Sequence, residues 1–162
     1  MSTRAFIIQK IDNQFKGIYL HFDGFIDYTG VILQQAYNTE EKVTKLVQLG
    51  SCSVLGYSTE PPEVVRRYGF NSIHSEAYRQ LDKEEQERLE EEYYSQAYSI
   101  FYHRDRQETL DVFSFESIEE ITNDRSMIAY TYIFMNGKWY VLDNRGHLKS
   151  LKRMLQLEKI AF

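Results

Sequence analysis

The chain of 162 residues has little cysteine and proline: one cysteine, Cys52, and two prolines, Pro61 and Pro62. A single cysteine excludes a disulfide within the chain, and two prolines among 43% hydrophobic residues are not typical of a disordered protein. Long hydrophobic runs are also missing, because the most apolar stretch, 127–135, is far shorter than the ~20 residues that span a bilayer. Since the first thirty residues also lack a secretion signal, the sequence predicts a cytoplasmic protein with no membrane partner.

The chain is rich in aromatic residues, and its charged residues are unevenly distributed. Aromatic side chains make up 15% of the sequence, enough apolar area for one folded domain over 1–162. The formal net charge is −5, but the segment 82–92 alone holds seven acidic residues against two basic ones. The rest of the chain is balanced, so local charged patches say more about a partner than the overall charge does.

Alternating apolar residues on either side of a turn predict two β-hairpins. Their strands are 3–11 with 17–23, and 127–135 with 138–142. The second hairpin turns at Asn136-Gly137, a pair that tolerates positive φ at both turn positions. In the strand 17–23 we expect Ile18, Leu20 and Phe22 to face the core. Further strands are predicted over 98–106 and 111–115.

Helical periodicity completes the predicted architecture. The predicted helices are 31–37 after a Thr29 cap, one from Glu40 to the stop at Gly50, an acidic helix over 75–94, a short helix after the capping box that begins at Ser117, and a basic helix over 147–158. Residues 51–73 are expected to form an irregular excursion, in which 63–68 could form a helical turn after the two prolines. The fold class that follows is α+β: a largely antiparallel sheet of two hairpins plus one or two strands, with three to four packed helices.

The candidate chemistry is a histidine and an aspartate two residues apart, which occur at two predicted strand ends: His21 with Asp23, and His103 with Asp105. If the strand ends meet, His21 pairs with Asp105 and His103 with Asp23, since cross-strand neighbours lie only about 4.5–5.5 Å apart. Such a cluster could hold a divalent metal, or supply a base and an acid for cleaving a phosphodiester. The structural alternative is that these residues cap turns or form surface ion pairs.

Basic residues raise two further hypotheses. Arg104, Arg106 and Arg125 could bind phosphate, or could be neutralised by the acidic residues that lie close to them in sequence, Glu108, Asp111 and Asp124. The basic helix near the C-terminus could touch RNA, although an exposed amphipathic helix often has this composition without any ligand. No cofactor other than a divalent metal is indicated.

The acidic helix over 75–94 allows three interpretations. It could be an ordinary solvated face, a mimic of the phosphate backbone, or a docking surface for a basic protein groove. Spaced carboxylates can occupy a channel of lysine and arginine residues built for nucleic acid. In the two binding interpretations the contact residues are Glu84, Glu87, Glu90, Glu91, Tyr93 and Tyr94.

Several separated segments carry a resemblance to other proteins. They are Met1-Ser2-Thr3-Arg4-Ala5, the run 17–25 with His21-Phe22-Asp23-Gly24, the run 43–56, Tyr102-His103-Arg104-Asp105-Arg106, and 130–134 with Trp139. Together they resemble a group of small proteins from phages, prophages and other mobile elements of bacteria. This resemblance implies a protein that binds a host machine in the bacterial cytoplasm, such as a CRISPR effector or another defence ribonucleoprotein.

Three functions follow from these expectations. The first is an inhibitor of a bacterial defence complex, such as an anti-CRISPR protein, which acts by protein binding. The second is a small nuclease that cleaves RNA, for example guide RNA, with His21, Asp23, His103 and Asp105 as its catalytic cluster. The third is a structural or regulatory phage protein without a defence target.

Overall fold

The structure, a computed structural model, describes residues 2–162. Within this range the strands of one sheet are β1 (Ala5–Ile11), β2 (Gln14–Leu20), β3 (Cys52–Val54), β4 (Ile100–Phe101), β5 (Phe113–Phe115), β6 (Tyr130–Met135), β7 (Lys138–Leu142) and β8 (Leu148–Ser150). Their order across the sheet is β4-β3-β2-β1-β6-β7-β8, and β5 also pairs with β2. The helices are α1 (Val31–Ala36), α2 (Glu40–Gln48), α3 (Glu63–Tyr68), α4 (Glu76–Arg79), α5 (Lys83–Tyr93), α6 (Tyr102–Arg106), α7 (Ile118–Asn123) and α8 (Leu151–Leu157).

The predicted α+β class is confirmed, and so are both predicted hairpins. Strands β1 and β2 pair antiparallel, as do β6 and β7. The second turn has positive φ at both Asn136 (53°) and Gly137 (75°), the geometry that matches the right-handed twist of the flanking strands. The turn chemistry in the sequence therefore located both hairpins, although β2 begins and ends three residues earlier than the predicted strand 17–23, and β6 begins three residues later than the predicted 127.

The pairing of the hairpins with each other makes the sheet mixed. Strand β6 lies parallel to β1, with Ile7 opposite Tyr132, and β3 lies parallel to β2. The central strands are consequently buried on both faces: Ile7 belongs to one core and its neighbour Ile8 to the other. Near-continuous apolar runs are typical of strands covered on both sides.

The larger core lies between the sheet and the helices α1, α2 and α8. Helix α2 matches its prediction, because the Thr39 hydroxyl accepts a hydrogen bond from the Lys42 N–H and Gly50 follows at a φ of +83°. Its buried stripe includes Val43 and Leu46, each of which stabilises the fold by about 1.5–3 kcal/mol through burial. Cys52 is buried in the same core, and burial raises the pKa of its thiol.

The opposite face of the sheet packs against α7. Its core consists of Phe6, Ile8, Phe15, Phe115, Ile121, Ile133 and Leu142. The capping residue Ser117 accepts a hydrogen bond from the Glu120 N–H at 3.1 Å, as its spacing predicted. This second core anchors only part of the face, and a cleft remains beside it.

The predicted irregular excursion is more ordered than expected. It contains β3, α3 and a 3-10 turn, Ser72–His74, and it shares a small third core with α5 and β4. Val64, Val65, Leu89 and Ile100 meet in this core. The excursion is therefore attached at the β4 edge of the sheet.

Three predicted segments are wrong in detail. The acidic helix over 75–94 is divided into α4 and α5, because Asp82 turns the chain and caps α5 by accepting from the Glu85 N–H at 2.8 Å. The helix at 147–158 starts as a strand, since β8 pairs with β7 before α8 begins. Thr29 caps no helix, because its hydroxyl donates to the carbonyl of Asp23 inside the π-helical turn Ile26–Gly30.

Phe22 also departs from its expected place in the core. Ile18 and Leu20 are fully buried as predicted, whereas Phe22 is 42% exposed because β2 ends at Leu20 and the chain turns away. Within residues 2–162, none of the helices has the length and apolar character needed to cross a membrane.

Candidate functional site

His21 and Asp23 follow the end of β2 but do not act together. The Nδ1 atom of His21 lies 2.6 Å from the hydroxyl of Tyr19, two residues earlier on the same face. Asp23 lies in a turn with a φ of +59°, and its backbone carbonyl accepts from Thr29. The pair is thus separated by the turn that starts after His21.

His103 and Asp105 lie in helix α6, not on the strand that their alternation predicted. The Asp105 carboxylate accepts from the Phe101 N–H at 2.8 Å, which satisfies the first free donor of the helix. The same carboxylate is held by Arg104 and its side chain is only 6% exposed. Asp105 is therefore a capping residue inside an ion pair, and His103 points elsewhere.

The expected cluster of two histidines and two aspartates does not form, because the two segments leave the sheet in opposite directions. Strand β2 runs parallel to β3, which carries His21 toward Cys52 and Ser53. Strand β4 runs antiparallel to β3, so the chain after it returns along Ser51, where the Tyr102 N–H donates to the Ser51 carbonyl. Across residues 2–162, no three histidine, cysteine, aspartate or glutamate side chains are grouped so that they could hold a metal ion.

The arginines expected to bind phosphate are engaged within the protein. Arg104 contacts both oxygens of Asp105, at 2.9 and 3.0 Å, and donates to the carbonyls of Thr59 and Ser99. Its guanidinium also lies 5.0 Å from the centre of the Phe101 ring. Arg104 thus ties the excursion to β4, and these four hydrogen bonds use four of the five N–H donors of its guanidinium, which leaves no pair of donors for a phosphate.

Arg106 is more exposed but also has partners. Its guanidinium packs 4.8 Å from the centre of the Phe70 ring, and its Nε atom lies 4.0 Å from a carboxylate oxygen of Glu108. The Phe70 ring in turn stacks on Tyr102, with ring centres 5.8 Å apart. Arg106 is therefore the outer layer of a stack that fixes the orientation of Tyr102.

A cleft of about 710 Å³ opens beside this stack, at the edge of β2 where β3 gives way to β5. Its lining residues are Tyr19, Ser51, Tyr102, Gln107, Glu108, Thr109, Leu110 and Asp111. Two tyrosines and two carboxylates dominate the lining, and this volume is in the range of ordinary ligand clefts. We refer to it below as the tyrosine cleft.

The wall of the tyrosine cleft, residues 107–111, is tied down at both ends. At one end the Glu108 N–H donates to the Tyr102 carbonyl, and His103 Nδ1 lies 2.7 Å from the Glu108 carbonyl. At the other end the Ser51 N–H and hydroxyl both donate to Asp111. The cleft is thus formed before any ligand arrives, which lowers the entropic cost of binding.

A small polar network lies behind Tyr19. Burial raises the pKa of the Tyr19 hydroxyl, and the nearby Arg4 guanidinium partly opposes this effect. Burial, and then the positive charge of Arg4, lowers the pKa of His21, so its imidazole favours the neutral form at pH 7. The Nε atom of Arg4 is buried without a hydrogen-bond partner in the described structure.

Sequence reasoning found His21 and His103 but missed the residues that they support. Tyr19 precedes His21 by two positions, so the strand alternation already placed the two side chains on one face. The pairing of Ser51 with Asp111, 60 residues apart, leaves no such local signal. The tyrosine cleft is consequently a product of tertiary structure.

The acidic residues of α5 divide into paired and free ones. On the side facing α3, Glu85 and Glu63 bind Arg88 and Arg67 at 2.6 to 3.4 Å. Hydrogen bonds from Arg88, followed by those from Arg67, lower the pKa of the Glu85 carboxylate. These ion pairs join α5 to α3. They neutralise the carboxylates of Glu63 and Glu85, so this side of α5 offers little negative charge to a binding partner.

The exposed side of α5 carries a separate row, which we call the acidic stripe: Glu84, Glu87, Glu91 and Tyr94. Their spacing of three, four and three residues places them along one helix face. The three glutamates are exposed, Lys83 reaches Glu87 only at 3.9 Å, and Tyr94 is 70% exposed.

Two residues expected in the contact surface lie beside the stripe. Glu90 is half-buried at its flank, and Tyr93 packs against the third core. The rings of Tyr93 and Tyr94 meet edge to face, with centres 5.0 Å apart, so Tyr93 holds Tyr94 in its exposed position.

Basic residues gather at the other edge of the sheet. The exposed ones on β7, β8, α8 and their connections are Lys138, Arg145, Lys149, Lys152, Arg153 and Lys159. Helix α5 packs near β4, six strand positions from β8, which corresponds to about 29 Å across the sheet. The charges of the two edges therefore do not neutralise each other.

Comparison with known proteins gives no relative: no protein-family model matches the chain, no curated protein matches it, and no solved structure matches it.

Proposed function

We propose that this protein is a binding module whose acidic stripe occupies a lysine- and arginine-lined surface of a bacterial defence complex, with a CRISPR effector nuclease as the specific target. The observation that supports this proposal is the division of charge on α5. Glu85 is neutralised by arginines, whereas Glu84, Glu87 and Glu91 face solvent in one row.

The spacing of the stripe fits a surface that normally holds nucleic acid. Residues three or four positions apart on a helix have Cβ atoms about 5 to 6 Å from each other, so the three glutamates form a regular row of negative charge, as the phosphates of a nucleic-acid strand do. Basic channels attract both kinds of anion by the same electrostatics, so the stripe acts as a competitor for such a channel.

Tyr94 supplies the contact that charge alone does not give. Tyrosine is enriched at the centres of protein interfaces, because it buries a large ring and still offers a hydroxyl. Tyr94 lies at the end of the acidic stripe and is held there by Tyr93. Charge would then steer the encounter, and the ring would slow dissociation.

The defence setting comes from the resemblance of the sequence to small mobile-element proteins. Inhibition of a nuclease complex needs only occupation of a functional surface, so the proposal requires no catalytic residue. The engagement of Arg104 and Asp105 with each other is consistent with that. The catalytic alternative, a ribonuclease, has no comparable observation in its favour.

The test is a charge reversal of the stripe, Glu84→Lys with Glu87→Lys and Glu91→Lys. Binding to purified CRISPR effector complexes, with and without guide RNA, is measured by biolayer interferometry at several salt concentrations. We expect the triple variant to lose at least about tenfold in affinity, and the binding of the unaltered protein to weaken with salt.

The matched control reverses three exposed acids near α7: Glu116→Lys, Glu119→Lys and Asp124→Lys. It changes the net charge by the same amount, so an equal loss of affinity would mean that total charge matters and the stripe does not. Unchanged binding by the stripe variant, or binding of the protein to guide RNA alone, would overturn the proposal.

A further inference from the structure

The tyrosine cleft has the composition of a site for an organic cation. Its two charged lining residues, Glu108 and Asp111, are both acidic, and Tyr19 and Tyr102 supply two aromatic side chains. Aromatic faces attract cations through their quadrupole, and carboxylates attract them through charge and hydrogen bonds. Both kinds of side chain line the same cleft.

Arginines of this protein lie near the cleft but leave most acceptor positions of its two carboxylates open, and Arg4 lies beside the hydroxyl of Tyr19 instead. Arg106 is the nearest to a lining carboxylate, but it stacks on Phe70 and reaches Glu108 only at 4.0 Å. The carboxylate of Asp111 accepts one hydrogen bond, from the Ser51 hydroxyl at 3.3 Å. Asp111 is exposed to solvent. Carboxylates have about four acceptor positions, so both acids retain most of theirs.

We infer that the tyrosine cleft binds the guanidinium group of an arginine side chain. A guanidinium is planar, so it can stack on the face of Tyr102 while its fork of N–H donors meets a carboxylate. A lysine ammonium offers neither the plane nor the fork. The stack of Phe70 behind Tyr102 holds that ring in place before binding, with ring centres 5.8 Å apart.

The walls that meet the guanidinium are preformed. Residue 107 has a φ of +58°, which turns the chain out of α6 and brings Glu108 over the cleft. His103 and Tyr102 then hold the backbone of Glu108, while Ser51 holds Asp111. Few rotatable bonds remain to be fixed when the ligand enters, apart from those of the two acid side chains.

The inference rests on the proposed function in one respect: the arginine belongs to the basic protein partner that the acidic stripe engages. A partner with a lysine- and arginine-lined surface carries the required side chain. The cleft would then give the interface a specific anchor, since arginine is one of the residues that dominate binding energy at interfaces.

The cleft can be tested without the partner. The probe is N-acetyl-arginine amide, and its neutral isostere N-acetyl-citrulline amide is the matched control ligand. Titrations are followed by the backbone amide signals of residues 51, 102 and 107–111 in two-dimensional NMR spectra. We expect saturable shifts with the arginine probe at millimolar concentrations and none with the citrulline probe.

Two protein variants sharpen the result. Glu108→Gln with Asp111→Asn removes both charges but keeps an acceptor for Ser51, and we expect it to weaken arginine binding about tenfold or more. Tyr102→Leu removes the aromatic face and should weaken it as well. Glu119→Gln, an exposed change on α7, should leave binding unchanged.

The outcomes separate this inference from the proposed function. Equal shifts with arginine and citrulline probes, no shifts at all, or full binding by the double variant would overturn the guanidinium site. Each of these results leaves the acidic-stripe measurement as it stands. If the stripe variant loses binding to the effector and the cleft residues show no NMR shifts with arginine, only the guanidinium site is rejected.

Discussion

The imidazole of His103 is bonded through Nδ1 to the backbone carbonyl of Glu108, at 2.7 Å. A carbonyl oxygen can only accept, so Nδ1 carries the proton and the bond fixes the tautomer of the ring. The histidine that the sequence presented as a catalytic candidate holds the wall of the tyrosine cleft in place.

This relationship predicts the effect of removing His103. His103→Ala should loosen residues 107–111, with faster amide hydrogen exchange at Leu110 and a loss of unfolding free energy of about 1 kcal/mol or less. His74→Ala, an exposed histidine on the excursion, is the control and should change neither quantity. Equal exchange at Leu110 in the two variants would contradict the role given to His103.

A second prediction concerns Gly50, which lies against the wall of the tyrosine cleft, residues 107–111. Gly50 has a φ of +83°, and a Cβ atom at this position would lie 2.7 Å from the Cδ1 atom of Leu110. Gly50→Ala should therefore destabilise the protein both by backbone strain and by displacing the wall. Gly137→Ala, at a φ of +75° with nothing within 4 Å of the added atom, carries the strain alone.

We expect a loss of about 1 kcal/mol for Gly137→Ala and a slightly larger one for Gly50→Ala, measured by urea denaturation, because the contacted Leu110 atom is the end of an exposed side chain that can rotate away. The difference between them reports the crowding at Leu110. Equal losses would mean that the wall moves aside at no cost.

Arg104 should be more important for stability than for binding. Arg104→Ala leaves the carboxylate of Asp105 buried without its partner and frees the carbonyls of Thr59 and Ser99. We expect a loss of about 3 kcal/mol in the free energy of unfolding, measured with urea. Arg66→Ala, an exposed arginine on α3, should cost less than about 0.5 kcal/mol. If Arg104→Ala costs as little unfolding free energy as Arg66→Ala, the ion pair between Arg104 and Asp105 is not needed for stability.

Acid should weaken the attachment of α5 to α3. Hydrogen bonds from Arg88 come first among the causes that hold the pKa values of Glu63 and Glu85 below the usual 4.5. A depressed pKa in the folded state stabilises the protein above the unfolded value, and that contribution is lost as the pH falls below 4.5 through the folded values.

The measurement is the urea midpoint between pH 7 and pH 3. The unaltered protein should lose stability below pH 4.5, and Glu63→Gln with Glu85→Gln should flatten that part of the profile. Glu41→Gln, which removes an exposed pair with Lys45, should keep the profile of the unaltered protein. If the urea midpoint of the double variant falls with pH as steeply as that of the unaltered protein, the ion pairs of Glu63 and Glu85 are not the cause of the acid sensitivity.

The predictable parts of the fold are those with local causes. Helix α2 has its cap at Thr39, its apolar spacing and its stop at Gly50 within twelve residues. The turn at Asn136-Gly137 fixes its hairpin in the same way. In these segments, backbone conformation depends on neighbouring residues and on a periodicity that the sequence displays.

Helix α6 shows where local reasoning fails. The run 98–106 is predicted as a strand from its alternation, yet within it Asp105 satisfies the free N–H of Phe101 and residues 102–106 form a helix. That carboxylate is stabilised by Arg104, whose other donors reach Thr59 on the excursion. The deciding contact lies 45 residues away, so alternation alone could not reveal it.

The sequence by itself determined the α+β class, two hairpins, helix α2 and an acidic segment on α5, because turn chemistry, capping and periodicity act between near neighbours. The tertiary structure alone decided the parallel pairing of β1 with β6, the separation of His21 from His103 and the tyrosine cleft. These depend on contacts such as Ser51 with Asp111, whose cost in chain entropy is repaid only when the whole sheet has assembled.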